Sequence, residues 1–218
     1  MKDIAIYGAG GFGREVACLI HAINDACDDD CNQWNLIGFF DDGQEKGRKN
    51  EYGEILGGLD DLNSWKSKLS IALGVGSPNT IRKIISGINN PNIEFPNIIS
   101  PDTKFFDKEN FTIGKGNVIC AECLFSCNVN IGNYNVFNFR ASVAHDSKIG
   151  DFNVMMPDVK VSGAVKMGDG NLLGVGCAII QMCKIGNETI ISSNSVLYGN
   201  AKDGNTYIGN PAKKTKIF

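Results

Sequence analysis

From Ile113 onward a large apolar residue recurs at every sixth position: Ile113, Ile119, Phe125, Ile131, Phe137, Val143, Ile149, Met155, Val161, Met167, Leu173, Ile179, Ile185, Ile191 and Leu197. A second period of eighteen lies on the first, because glycine follows the apolar residue at Gly114, Gly132, Gly150, Gly168 and Gly186. Three hexads thus make one coil. The simplest solid with that period is a triangular prism in which each hexad supplies a short strand and a corner, with coils stacked ~4.8 Å apart by strand hydrogen bonds. Residues 113 to 202 therefore predict a parallel β-helix of about five coils. The position four after each apolar residue should also face inward, where only small or flat side chains fit. It carries Asn117, Asn135, Asn153 and Asn171 at eighteen-residue intervals, which predicts a stacked amide ladder.

Residues 1 to 97 have a different texture and form a separate predicted domain, with 98 to 218 assigned to the β-helix. Apolar segments Ile4 to Tyr7, Leu36 to Phe40 and Ile71 to Val75 alternate with helical patterns at Arg14 to Asn24, Asp60 to Leu69 and Thr80 to Ile88. The order β-α-β-α-β-α predicts an α/β half-Rossmann domain. Its first strand enters Gly8-Ala9-Gly10-Gly11-Phe12-Gly13, the spacing of a phosphate-binding turn at a helix start. Asp41 or Asp42 at the end of strand two would stand on a ribose, and strand three ends in Gly74-Val75-Gly76-Ser77, glycines at the carboxyl edge where open α/β sheets place ligands. Three strands supply half of a dinucleotide fold, so a mononucleotide carried as a nucleotide sugar fits better than NAD. The competing reading is a glycine-rich turn needed only for tight packing.

The net charge of -3 and a pI near 5.4 supply no basic face, which argues against nucleic acid. No charged and apolar leader opens the chain and no apolar stretch approaches about 18 residues, so a cytoplasmic protein without membrane insertion is expected. Eight cysteines without an export signal read as free thiols. Cys120, Cys123 and Cys127, with Cys27 and Cys31, could be set out as zinc ligands, but the hexad register sends Cys123, Cys177 and Cys183 into the core, and no metal is expected.

Of the two histidines, His21 falls on the first helix, as an ordinary surface or packing residue. His145 lies two after the inward Val143 and should project outward beside Asp146. Its neighbours one coil away are Cys127 and Gly163, both small, which leaves room for a substrate above the imidazole. Such a pair suits general-base catalysis, the carboxylate orienting the ring and stabilising the imidazolium.

The Ile-Gly-x-x-Asn-Val repeats and the closing Ile208-Gly209-Asn210-Pro211-Ala212-Lys213 resemble the hexapeptide-repeat acyltransferases, whose β-helix winds left-handed against the usual crossover rule. With Gly38-Phe39-Phe40-Asp41-Asp42, Ile81-Arg82-Lys83-Ile84-Ile85 and Ala141-Ser142-Val143-Ala144-His145-Asp146, nearly the whole chain is similar to the sialic acid O-acetyltransferase and UDP-4-amino-sugar N-acetyltransferase family of bacterial surface-glycan synthesis. That resemblance implies acetyl-CoA as co-substrate and a nucleotide sugar over Gly10, Gly11 and Phe12, with Asp41 and Asp42 near its base or ribose and Gly76 closing the pocket; it also implies His145 and Asp146 as catalytic and Asn138 near the acceptor. It implies a homotrimer whose inter-helix groove holds acetyl-CoA against Val154, Gly174, Val175 and Ser193. Two positions depart from the family: Phe12 stands where relatives commonly carry histidine, and Val154 replaces a cofactor-contacting histidine of some relatives. The leading expectation is N-acetylation of the C4 amine of a nucleotide-activated deoxyamino sugar. Sialic acid O-acetylation and a non-catalytic nucleotide-sugar-binding protein are the alternatives.

Overall fold

In the computed structural model, which describes residues 1–27 and 34–215, strand β1 (Lys2–Tyr7) is flanked on both sides by parallel neighbours. Its inner residues Ile4, Ala5 and Ile6 are fully buried, as expected of a central strand covered on both faces. The elements that follow are α1 (Gly11–Asp25), β2 (Trp34–Phe40), β3 (Lys49–Asn50), β4 (Gly53–Gly57), α2 (Leu59–Asn63), β5 (Leu69–Leu73), α3 (Pro78–Gly87) and β6 (Ile93–Glu94). The sheet order is β3-β4-β2-β1-β5-β6, a Rossmann-like arrangement with three more strands than the hydrophobic pattern revealed. Helix α1 turns Val16, Ala17, Leu19 and Ile20 inward. Helix α3 starts where Pro78 occupies its first turn and the Ser77 hydroxyl accepts from the Thr80 N–H at 3.4 Å, both ordinary helix-start devices.

The chain clusters into two units, Met1–Pro101 and Asp102–Phe218. Within the second, each hexad places its two-residue strand on one of three faces. The first face carries Val118–Ile119, Val136–Phe137, Val154–Met155, Leu172–Leu173, Ile190–Ile191 and Thr206–Gly209. The second is a six-stranded sheet from Lys104–Phe105 to Val196–Leu197, and the third a five-stranded one from Thr112–Ile113 to Lys184–Ile185. The solenoid thus exceeds the expected five coils. Strand Lys104–Phe105 comes before the first glycine-marked coil, and Thr206–Gly209 continues the first face after the last, closed by antiparallel Ala212–Thr215.

Fourteen of the fifteen sixth-position residues are buried, Ile113 at the start being half-exposed, and every residue four positions on, from Asn117 to Ala201, is buried as well. The amide ladder forms as the spacing demands. Asn117 Oδ1 accepts the Asn135 backbone N–H at 2.8 Å and its Nδ2 at 3.0 Å, and Asn135 and Asn153 do the same for the next coil. Asn171 ends the run by accepting from Thr189 N at 2.8 Å. These four amides are fully buried, so the ladder satisfies groups that would otherwise be costly to dehydrate. Every corner from Gly116 to Asn194 turns through a residue with φ between 53° and 68°, most of them not glycine: Tyr134, Arg140, Asp146, Phe152 and Met182 among them. That left-handed conformation costs a non-glycine residue about 1–2 kcal/mol, and the inter-coil hydrogen bonds on either side hold it in place.

Among the cysteines, Cys120, Cys123, Cys177 and Cys183 are buried thiols outside any disulfide, while Cys18 and Cys127 are exposed ones. Cys27 departs from the expectation of free thiols, being disulfide-bonded; Cys31 lies outside the described residues. Among the described residues no group of three His, Cys, Asp or Glu side chains could hold a metal ion, and no helix is long and apolar enough to cross a membrane.

Candidate active site

Two sets of candidate residues occupy the two units. In the first, the glycines after β1 divide by what stands next to them. Gly8 has φ +105°, and a methyl on it would lie 2.7 Å from the Gly74 carbonyl oxygen; one on Gly13 would strike the Gly8 carbonyl. Those two serve packing. Gly10, Gly11 and Gly76 meet nothing within 4 Å and do not have positive φ, so the protein's own atoms give no reason for glycine there. Gly10 caps α1 with no side-chain hydrogen bond, and no acidic residue occupies the first turn. An open glycine surface over a helix start suits a phosphate. Phe12 sits half-buried in that turn, where its ring contributes apolar surface and no hydrogen bond.

Asp41 and Asp42 lie just beyond β2, and their carboxylates are engaged within the chain. Asp41 accepts from the Ala9 N–H at 2.8 Å and from the Gly43 N–H at 2.8 Å, bracing the glycine loop. Asp42 accepts from the Leu59 N–H at 2.8 Å and the Tyr7 hydroxyl at 2.7 Å. Burial and this carboxylate hold the Tyr7 phenol well above its ordinary range, so it stays a donor. The first partners of the two aspartates are thus backbone N–H groups and Tyr7. Both still line a cavity of about 250 Å³ with Tyr7, Leu59, Val75, Thr80 and Lys83 at the carboxyl edge of the sheet, where open α/β sheets take ligands. The sequence reading missed Tyr7, Thr80 and Lys83. Thr80 and Lys83 sit on α3 three residues apart, and that spacing was the available signal.

In the second unit, the corner between the second and third faces carries a column of residues linked coil to coil. Asp146 N donates to Cys127 O at 3.1 Å, Ala164 N to His145 O at 2.7 Å and Met182 N to Gly163 O at 2.9 Å. His145 Nδ1 is 2.9 Å from Asp146 Oδ2, with more than half of each side chain exposed. The other Asp146 oxygen accepts from Asn128 Nδ2 at 2.7 Å. His145, then Asn128, hold the Asp146 carboxyl below the usual carboxylate range; an ionised carboxylate only accepts, so the proton of this contact sits on Nδ1 and a neutral ring keeps its lone pair on Nε2. Asn128 was not singled out from the sequence, yet it stands one eighteen-residue period before Asp146. Gly163 does not leave space above the imidazole as expected; the ring lies against it, and a Cβ there would be 2.5 Å from both Cε1 and Nε2.

Gly174, Val175 and Ser193 are brought together at a different corner, between the first and second faces. Asn194 N donates to Val175 O at 2.8 Å, and a Cβ on Gly174 would meet Ser193 N at 2.5 Å and its hydroxyl at 2.8 Å. Val175 and Ser193 are exposed. Asn138 begins the same corner two coils earlier but is 8% exposed, with Oδ1 accepting from Phe139 N at 2.8 Å. Val154 is fully buried, so its side chain offers no surface to a cofactor, in line with an apolar residue replacing a histidine. A single chain thus gathers the His145 pair and the Gly174 group at separate corners.

Residues 3–88 match the family model of the PglD N-terminal domain. No curated protein matches the sequence. Among solved structures, the chain is similar to the acetyltransferase domain of PglB from Neisseria gonorrhoeae in complex with acetyl coenzyme A, at 26% identity over 98% of this chain and 99% of that one, with a TM-score of 0.86. WeeI from Acinetobacter baumannii matches at 26% identity over 99% and 100%, with a TM-score of 0.86. PerB from Caulobacter crescentus, in complex with CoA and GDP-perosamine, matches at 21% over 99% and 98%, with a TM-score of 0.82, and speaks to the fold alone. A PglD N-terminal domain over residues 3–88, followed by a β-helix that matches these acetyltransferases over nearly the full length, supports a bacterial sugar N-acetyltransferase of the hexapeptide-repeat family.

Proposed function

We propose that the protein transfers the acetyl group of acetyl-CoA to the C4 amine of a nucleotide-linked deoxyamino sugar in bacterial surface-glycan synthesis. The observation that carries this reading is the corner pair: an imidazole held through Nδ1 by a carboxylate that is itself fixed by Asn128. Nε2 takes the amine proton as nitrogen attacks the thioester carbonyl, and Asp146 stabilises the imidazolium. The tetrahedral intermediate collapses with loss of the CoA thiolate, which takes up a proton. Burial pushes the Cys123 and Cys177 thiols up to about 12, which leaves almost no thiolate on either near neutrality, so neither serves as an acyl carrier.

The N-terminal unit binds the nucleotide sugar, its diphosphate over Gly10 and Gly11, its nucleoside in the cavity bounded by Asp41, Asp42 and Lys83, with Gly76 at the rim. The open space over these glycines supports that assignment. Acetyl-CoA lies along the Gly174, Val175 and Ser193 corner. Because that corner and His145 are apart in one chain, the complete site is built between neighbouring copies of a homotrimer, where the corner of one chain meets the imidazole of the next. The enzyme acts in the cytoplasm, where acetyl-CoA is available.

Thiol release from acetyl-CoA, followed with UDP-, dTDP- and GDP-linked 4-amino sugars and free sialic acid, tests the reading. Release with one nucleotide sugar supports N-acetylation and names the carrier. Release with sialic acid alone moves the assignment to O-acetylation, and silence throughout returns the chain to a binding protein.

A further inference from the structure

Gly163 has no backbone reason to be a glycine. Its φ is not positive, the left-handed turn being made by the next residue, Ala164, at 55°. Its hydrogen bond, from Met182 N to its carbonyl at 2.9 Å, would survive any side chain. A Cβ on Gly163 meets the His145 ring as its three nearest neighbours: Cε1 and Nε2 at 2.5 Å and Cδ2 at 3.1 Å. The repeat glycines Gly150 and Gly168 differ, since a Cβ on either would also press on the backbone carbonyl of the following coil. The imidazole alone therefore accounts for the missing side chain.

We propose that Gly163 is a positioning residue for the acetyl transfer, the floor on which the His145 imidazole lies so that Nδ1 meets Asp146 and Nε2 faces the acceptor. The inference rests on His145 being the general base and deepens that reading. A methyl at 163 makes the ring swing away, because contacts below 3.0 Å are not sustained. Asp146 cannot follow. Its backbone is tied to Cys127 O at 3.1 Å and its other oxygen to Asn128 at 2.7 Å. The ring thus loses its carboxylate or its aim, and a displacement of about 1 Å at a reacting group can cost ~10²-fold in rate.

The test uses the full-length protein with ¹³C-labelled histidine. The chain has 2 histidines, so His21 serves as the internal reference. Gly163→Ala is expected to move the His145 imidazole resonances and leave those of His21, with an unchanged melting temperature. Its kcat should fall roughly 10²-fold while KM stays near that of the unaltered enzyme, and placing it in a His145→Ala background should produce no further loss. Unmoved His145 resonances overturn the proposal. So does an unchanged kcat when His145→Ala is inactive, and so does an equal loss in both backgrounds, which would mark a structural role. Full turnover by His145→Ala itself removes the general-base reading, and this inference with it, and is told apart because Gly163 is not altered in that variant.

Discussion

His145 Nδ1, Asp146 and Asn128 form a hydrogen-bonded chain; in the proposed mechanism the imidazole is the base, the carboxylate orients it and the amide anchors the carboxylate. Asp146→Asn keeps the shape but offers an amide to the imidazole, and should lower kcat about 10²-fold; Asn128→Ala, which only loosens the carboxylate, should lower it roughly tenfold. Both are checked by steady-state thiol release, and the expected order follows general-base magnitudes of ~10²–10⁴. The Asp146 carboxyl is held below its ordinary range. Its bonds therefore contribute fully above about pH 4 and are lost as pH falls through the depressed value, so the orienter remains ionised at any pH near neutrality. Burial acts in the opposite sense on Cys123 and Cys177, raised to about 12. Iodoacetamide at pH 8 should label Cys18 and Cys127 and spare those two, as read by peptide mass spectrometry; modification of Cys123 in the folded protein would contradict the packing. His145 with Asp146 was legible because the two are adjacent and the hexad register points them outward. Asn128 was legible in principle from the period. The engagement of Asp41 and Asp42 with Ala9 N and Tyr7 was not, since it depends on where backbone N–H groups aim once the sheet is built.

The ladder of four amides makes a graded prediction at the level of the coil. Asn153 Oδ1 accepts two donors, the Asn171 N–H and its Nδ2, whereas Asn171 Oδ1 accepts one, from Thr189. Asn153→Ala strands one more buried donor than Asn171→Ala, and each stranded group costs about 1–3 kcal/mol. Urea unfolding should thus find Asn153→Ala the more destabilised; equal losses would mean the ladder is not a chain of directed bonds. The solenoid strands were readable because a period of six with apolar residues inward leaves one register, in which fourteen of the fifteen sixth-position side chains are buried. The N-terminal elements were read less well. The helix expected over Asp60 to Leu69 ends at Asn63, because Leu69 opens β5, whose five residues are all buried. The short hairpin at Lys49–Asn50 and Gly53–Gly57 was missed, although Asn50 Oδ1 accepting from Tyr52 N and Gly53 N is an Asx-type turn. Left-handed corners at Tyr134, Arg140 and Met182 leave no compositional trace, since stacking rather than residue preference imposes them.

At the scale of the whole molecule, the proposed homotrimer has a second copy bridge the separation of the His145 corner from the Gly174, Val175 and Ser193 corner. Light scattering should give a mass of about 70 kDa, three times 23.5 kDa. An active monomer would contradict the shared site. Two inactive variants, His145→Ala and a Val175→Arg change that blocks the donor corner, should regain activity when refolded together, with about a quarter of sites complete in random trimers. No recovery in confirmed mixed trimers would place both corners in one subunit's site. The central claim remains the base at position 145, and it is tested most directly by thiol release from acetyl-CoA with the accepted nucleotide sugar, comparing the unaltered enzyme with His145→Ala at saturating concentrations of both substrates. The account predicts a kcat lower by ~10²–10⁴-fold with substrate binding largely retained. An unchanged kcat would show that the proton leaves by another route and that His145 is a bystander.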